Sequence, residues 1–192
     1  MSFINESQLK GFRNSTRTFS KSITDSLNEF KNEAKTLKTK VFLSHKHDEL
    51  ENLDGAIAFL KKEGIDVYVD WLDDGMPKIT SGITAKRIKS KIKENDKFIF
   101  LASEGAINSK WCNWELGLGD ADKYINNIAL LPVEKDNSYF SGSEYLQIYP
   151  YIEYQNGNNK YTGGLYIPRG YYVKYPAVNN EHTIIPLKQW IN

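Results

Sequence analysis

The stretch Lys110–Asp120, K-W-C-N-W-E-L-G-L-G-D, decides how the rest of the chain is read. It follows an apolar run, Lys97 to Ser103, of the kind that forms a strand buried on both faces, and a polar connection through Asn108 and Ser109 that caps a helix. The stretch is therefore placed on a helix packed against a sheet. At about 100° per residue, Trp114, Leu118, Ala121 and Ile125 fall on one stripe, which the spacing assigns to the core. Trp111 and Glu115 are i, i+4 neighbours on the flank of that stripe. A carboxyl group shielded by aromatic rings has a raised pKa and a charge that acts on a bound molecule. Gly117 and Gly119 each cost about 1 kcal/mol against Ala inside a helix, so they mark a place where something comes close. A plain solvated or lysine-paired glutamate is the competing reading.

Working upstream, strand and helix alternate with short connections. Val41, Phe42 and Leu43 form a buried strand that ends in S-H-K-H-D, and a helix follows with Leu50, Leu53, Ile57 and Leu60 on its inner face and Gly64 as its stop. A second strand, Ile65 to Trp71, leads into the loop L-D-D-G-M-P-K-I-T and a helix from Ser81 to Glu94. The third strand is Lys97 to Ser103, and a fourth runs from Asn127 to Val133. This alternation predicts an α/β fold, a doubly wound parallel sheet covered on both faces. Sites in such sheets lie off the carboxyl ends of the strands, where Ser44 to Asp48, Asp70 to Thr80 and Ser103 to Glu115 all emerge.

Three segments are expected: a helical leader over 1–36, the α/β core over 37–133, and a β-rich extension over 134–192. The leader carries Ile23, Leu27, Phe30 and Ala34 at helical spacing behind a capping box at Ser22 and Asp25. The extension holds ten of the 12 tyrosines, turn signals at Asn156-Gly157 and Gly163-Gly164, strands within 145–154 and 164–174, and a closing helix near Pro186 to Ile191.

Composition narrows the functional classes. Among 192 residues, 25 basic side chains face 24 acidic ones, so no global field draws nucleic acid or an anionic membrane. The basic run Lys86–Lys93 carries Ile88 and Ile92 as a buried stripe, which makes the lysines a solvated helix face. No run reaches the ~18 apolar residues of a membrane span, and the N-terminus lacks a signal-peptide pattern. One cysteine, Cys112, excludes an internal disulfide and fits a buried structural thiol in a cytoplasmic protein. His45 and His47 stand two apart with no second ligand cluster in the sequence, so no metal is expected. Gly117–Asp122 is no dinucleotide fingerprint, because it lies inside a helix.

Taken together, the three carboxyl-edge segments resemble the Toll/interleukin-1 receptor (TIR) domain family. V-F-L-S-H at Val41 is similar to its box 1, D-W-L-D-D-G-M-P at Asp70 occupies the place of its BB loop, and S-K-W-C-N-W-E-L at Ser109 resembles the S-x-W-C-x-x-E-L signature of its αC helix. The resemblance implies the flavodoxin-like TIR fold. It also implies cleavage of the nicotinamide–ribose bond of NAD+ as substrate, without a cofactor, with Glu115 as the catalytic carboxylate. Ser44, His45, Lys46, Asp70, Trp71 and Trp111 take the positions that meet the nucleotide. Box 1 of the family usually continues with Ser-Tyr or Arg, whereas here Ser44 is followed by His45 and Lys46. A short chain of this type resembles the signal-making subunit of Thoeris anti-phage systems, which implies an ADP-ribose-derived, cyclic nucleotide acting on a separate effector, and self-association through TIR domains. Two alternatives stay open: a TIR–TIR assembly module without turnover, and an enzyme of nucleoside deoxyribosyltransferase type.

Overall fold

The computed structural model describes residues 3–16, 22–33, 40–73, 79, 81–177 and 183–192. One sheet organises them. Its strands are β1 (Ile4–Asn5), β2 (Lys40–Ser44), β3 (Asp66–Tyr68), β4 (Lys97–Ala102), β5 (Ile128–Glu134), β6 (Tyr151–Gln155), β7 (Gly170–Lys174) and β8 (Ile184–Pro186). The order is β3-β2-β4-β5-β6-β7-β8, with β1 beside the end of β5. From β3 to β6 all pairings are parallel, while β7 and β8 are antiparallel additions. The core is thus the α/β, mostly parallel, doubly wound sheet that the alternation predicts.

Period-two alternation along each strand divides the core into two layers. Val41, Leu43, Ile99 and Leu101 face one side, under α1 (Glu6–Thr16), α2 (Ile23–Glu33) and α3 (Leu50–Lys62). Phe42, Phe98, Phe100 and Leu130 face the other, under α4 (Gly82–Glu94) and α6 (Lys110–Lys123). Two one-turn helices, α5 (Glu104–Ile107) and α7 (Leu187–Trp190), complete the set. Ser44 follows Phe42 by two residues, so it points to the α6 side, and this register matters for the site.

Several expectations need correction. The inner face of α6 is formed by Cys112, Glu115, Leu116, Gly119 and Lys123, whereas Trp114 and Leu118 are half-buried, Ala121 is exposed, and Ile125 lies beyond the helix. The reason is steric. A Cβ on Gly119 would stand 2.8 Å from the Phe98 ring, so the helix settles on its glycine and approaches the sheet where no side chain intervenes. The glycine that looked like a gap for a ligand is filled by the protein's own Phe98. The leader is not a single helix: α1 precedes α2 and lies on α3, where Gly55 brings its Cα under the Leu9 backbone. The strand expected to end at Trp71 stops at Tyr68 and gives way to a 3-10 turn, Asp70–Leu72.

Other local readings hold. The Ser22 hydroxyl accepts from the Asp25 amide at 3.1 Å and donates to its carboxylate at 2.7 Å. Ser81 and Ser109 cap α4 and α6 through the Thr84 and Cys112 amides. Ile88 and Ile92 are buried beneath the lysines of α4. Ala34 and residues 74–78 of the BB-loop position lie outside the described residues.

Residues beyond 133 extend the sheet instead of forming a separate layer. β6 joins β5 at Leu130↔Tyr151, and β7 and β8 follow outward. Gly157 and Gly164 take positive φ, 89° and 85°, where the turn signals stand. The tyrosines tie this edge down: the Tyr145 hydroxyl donates to Asn113 at 2.6 Å, and Tyr172 donates to the Pro168 carbonyl at 3.1 Å. Their strands sit at the end of the sheet remote from β2 and β3.

Candidate active site

Three carboxyl ends converge. β2 delivers Ser44 and the loop His45–Asp48, β3 delivers Asp70 through the 3-10 turn, and the connection after β4 delivers α6 with Glu115 in its second turn. β2 pairs with both β3 and β4, so these segments are neighbours by construction.

Glu115 is the focus. It is 2% exposed, and its Oε2 accepts a hydrogen bond from Ser44 Oγ at 2.6 Å. Among the described residues its Oε1 is buried with no hydrogen-bond partner of ordinary geometry. Burial, first, and then the charge of Asp70 push its pKa from the ordinary 4.5 up to about 8, while the Ser44 hydroxyl, His47 and the Trp111 indole act in the opposite direction. A carboxyl left with an unused buried oxygen costs folding free energy. Such a group is retained where function needs it.

Around it stand the histidines and Asp70. His45 is fully buried, its Nδ1 lies 3.2 Å from the Leu43 carbonyl and 3.8 Å from Asp70 Oδ1, and its Nε2 has no hydrogen-bond partner among the described residues. Burial lowers its pKa, so the ring is neutral, with the proton on Nδ1 toward Leu43. His47 is half-exposed, with Nε2 at 3.4 Å from Asp70 Oδ2, and the Asp70 contact raises its pKa. His45, His47 and Asp70 each present a ligand atom, all within 4.8 Å of one another. The sequence shows His47 only as half of an isolated H-x-H pair; the missing signal is the parallel register Phe42↔Tyr68, which brings the residues after β3 beside those after β2.

The remaining positions differ in how they are held. The Cys112 thiol donates to the His45 carbonyl at 3.3 Å, fastening the first loop to α6, and burial pushes its pKa up to about 11. A neutral thiol so placed is a fastener, not a nucleophile. Trp111, half-buried one turn before Glu115, leans on Trp114 with ring centroids 4.8 Å apart. Lys46 points outward and pairs with Asp48 at 2.7 Å, so it reaches a phosphate only by leaving that partner. Asp70 begins the 3-10 turn; the backbone of Trp71 lies in the same turn, and its side chain is outside the described residues.

Comparison with known proteins adds the family. Residues 41–164 match the family model of the TIR domain. The chain belongs to the TIR domain family. Two curated relatives are similar to it. The probable 3′ cyclic ADP-D-ribose synthase ThsB′ of Bacillus cereus (strain MSX-D12) is 36% identical over 132 residues, covering 64% of this chain and 65% of that protein. The probable 2′ cyclic ADP-D-ribose synthase TcpO of Methanobrevibacter olleyae is 31% identical over 109 residues, covering 54% of this chain and 30% of that protein. The chain therefore spans less than two thirds of the length of either relative. The TIR match runs past the fourth predicted strand to include β6. Among the described residues, no helix is long and apolar enough to cross a membrane.

Proposed function

We propose that this TIR protein cleaves the nicotinamide–ribose bond of NAD+ and turns the ADP-ribosyl part into a cyclic signal nucleotide, with Glu115 as the catalytic carboxylate. The observation that supports it best is the Glu115 side chain: buried, held by Ser44 at 2.6 Å, and carrying at the carboxyl edge of the sheet an oxygen without a hydrogen-bond partner among the described residues. The names of both relatives, as cyclic ADP-ribose synthases, support the reaction class.

The chemistry follows from the charges. Without substrate Glu115 holds its proton near neutral pH. A cationic nicotinamide–ribose brought beside it favours the ionised form, since opposite charges in a water-poor site attract strongly. Nicotinamide then leaves with the electron pair of the C–N bond, and the anomeric carbon becomes oxocarbenium-like. The carboxylate stabilises that charge, as its counterparts do in glycoside hydrolysis. A hydroxyl of the substrate's own adenosine half attacks, a C–O bond forms, and the hydroxyl proton passes to Glu115 and on to solvent; water in place of the hydroxyl yields ADP-ribose. Ser44 fixes the carboxylate, Trp111 and Trp71 offer flat faces to the nicotinamide ring, His45 and Asp70 meet the ribose side, and Lys46 takes a diphosphate oxygen after exchanging Asp48.

The product would act on a separate effector in anti-phage defence, in the cytoplasm, where the buried Cys112 stays reduced. Exposed Ile79 and Ile83, flanking the start of α4 beside the BB-loop position, favour self-association as a further part of this reading. Incubating the purified protein with NAD+ and separating the products tests the proposal. Free nicotinamide together with a cyclic nucleotide lighter than ADP-ribose by one water supports it. Intact NAD+ across a range of protein concentrations contradicts it.

A further inference from the structure

The histidines next to Glu115 are organised beyond what nucleotide cleavage requires. We propose that His45, His47 and Asp70 form a binding site for a divalent cation of the zinc class, whose occupancy keeps NAD+ from Glu115. Metal-binding imidazoles characteristically donate their second ring N–H to a carbonyl or carboxylate, which fixes the tautomer and frees the other nitrogen. His45 offers two nitrogens: Nδ1 is 3.2 Å from the Leu43 carbonyl and 3.8 Å from Asp70 Oδ1, and the buried Nε2 has no hydrogen-bond partner among the described residues. Tetrahedral zinc with bonds of about 2.0–2.1 Å places its ligand atoms roughly 3.3 Å apart. His47 Nε2 and Asp70 Oδ2 already stand at 3.4 Å, and the three ligand atoms lie within 4.8 Å, so modest side-chain rotations complete the set. Two imidazoles and one carboxylate suit zinc and its transition-metal neighbours over magnesium or calcium.

The consequence for Glu115 is electrostatic. Asp70 and His47 stand close enough to Glu115 for their charges to act on it. A dipositive ion held there pairs with the Glu115 carboxylate and repels the cationic nicotinamide ring. Bound metal and NAD+ thus exclude each other. This blocking rests on the proposed role of Glu115, whereas the binding of metal does not.

The test uses the whole chain, stripped of metal by a chelator and exchanged into clean buffer, with cobalt(II) as a spectroscopic substitute for zinc. The expected result is the visible absorption of low-coordinate cobalt at one equivalent, bleached by added zinc. It is lost in His47→Ala, whose side chain is half-exposed and tolerates truncation, and in Asp70→Asn, and retained in Glu115→Ala. Zinc also inhibits nicotinamide release competitively with NAD+, at least tenfold less potently in His47→Ala relative to that variant's own metal-free rate. A spectrum no different from aqueous cobalt, or one unchanged in His47→Ala, overturns the site. Cobalt binding without zinc inhibition of an active enzyme overturns the blocking, and a protein that binds cobalt but never cleaves NAD+ contradicts the Glu115 reading and leaves the metal site standing.

Discussion

Asp54 and Glu115 are both buried carboxyl groups on helices packed against the same sheet, one on each face. Asp54, with no side-chain exposure, pairs with Arg13 at 2.7 Å and accepts from Ser26 Oγ at 2.8 Å, joining α1, α2 and α3. Glu115 accepts from the Ser44 hydroxyl, and among the described residues its Oε1 has no hydrogen-bond partner of ordinary geometry. The fold thus compensates a carboxylate that fastens helices and leaves uncompensated the one at the strand ends. Burial alone does not distinguish the two carboxyl groups; the ion pair with Arg13 does.

That contrast can be broken experimentally. The largest stability effect is expected at Asp54: Asp54→Ala removes the buried ion pair with Arg13 and the hydrogen bond from Ser26 and costs about 3 kcal/mol, a fall of roughly 6–12 °C in melting temperature, with nicotinamide release kept at a temperature where the protein is folded. Gly119→Ala comes next, because its new methyl meets the Phe98 ring at 2.8 Å; about 2 kcal/mol of destabilisation is expected in denaturant titrations.

Glu115→Gln should behave in the opposite sense to Asp54→Ala, and in a pH-dependent way. With a folded pKa of about 8 against 4.5, the native state holds a proton that the unfolded chain has lost. The stability this confers is complete below about 4.5 and disappears as pH rises through 8, with a slope near 1.4 kcal/mol per pH unit between the two values. Glutamine carries no such titration, so the variant should melt near wild type at pH 5 and above it at pH 8; equal differences at both values would contradict the raised pKa. The smallest effect is at Ser44. Its hydroxyl pulls the Glu115 pKa down, so Ser44→Ala should move the alkaline rise of kcat/KM to higher pH and lower the rate at pH 7 by about tenfold.

Much of this was legible in the residues. Apolar runs and cap residues located β2, β4, β5, α4 and α6 to within two residues, because fully buried strands and serine caps leave strong local signatures. The helical stripe of α6 was misassigned because period counting ranks Trp and Leu above Gly, whereas contact with Phe98 favours the smallest residue. The leader's first helix, Glu6–Thr16, escaped notice because Leu9 is its only fully buried apolar residue with a described side chain, and its place depends on Gly55 in α3. At the site, Glu115 and Ser44 could be named from motifs. The meeting of His47 with Asp70 could not, since it depends on strand register and not on spacing.

The most direct measurement is nicotinamide release from NAD+ by wild type, Glu115→Gln and Asp54→Asn, side by side at a temperature where all three are folded. The account predicts a loss of at least about 100-fold in the Glu115 variant and a rate close to wild type in the Asp54 variant. Turnover by Glu115→Gln equal to that of wild type would contradict it.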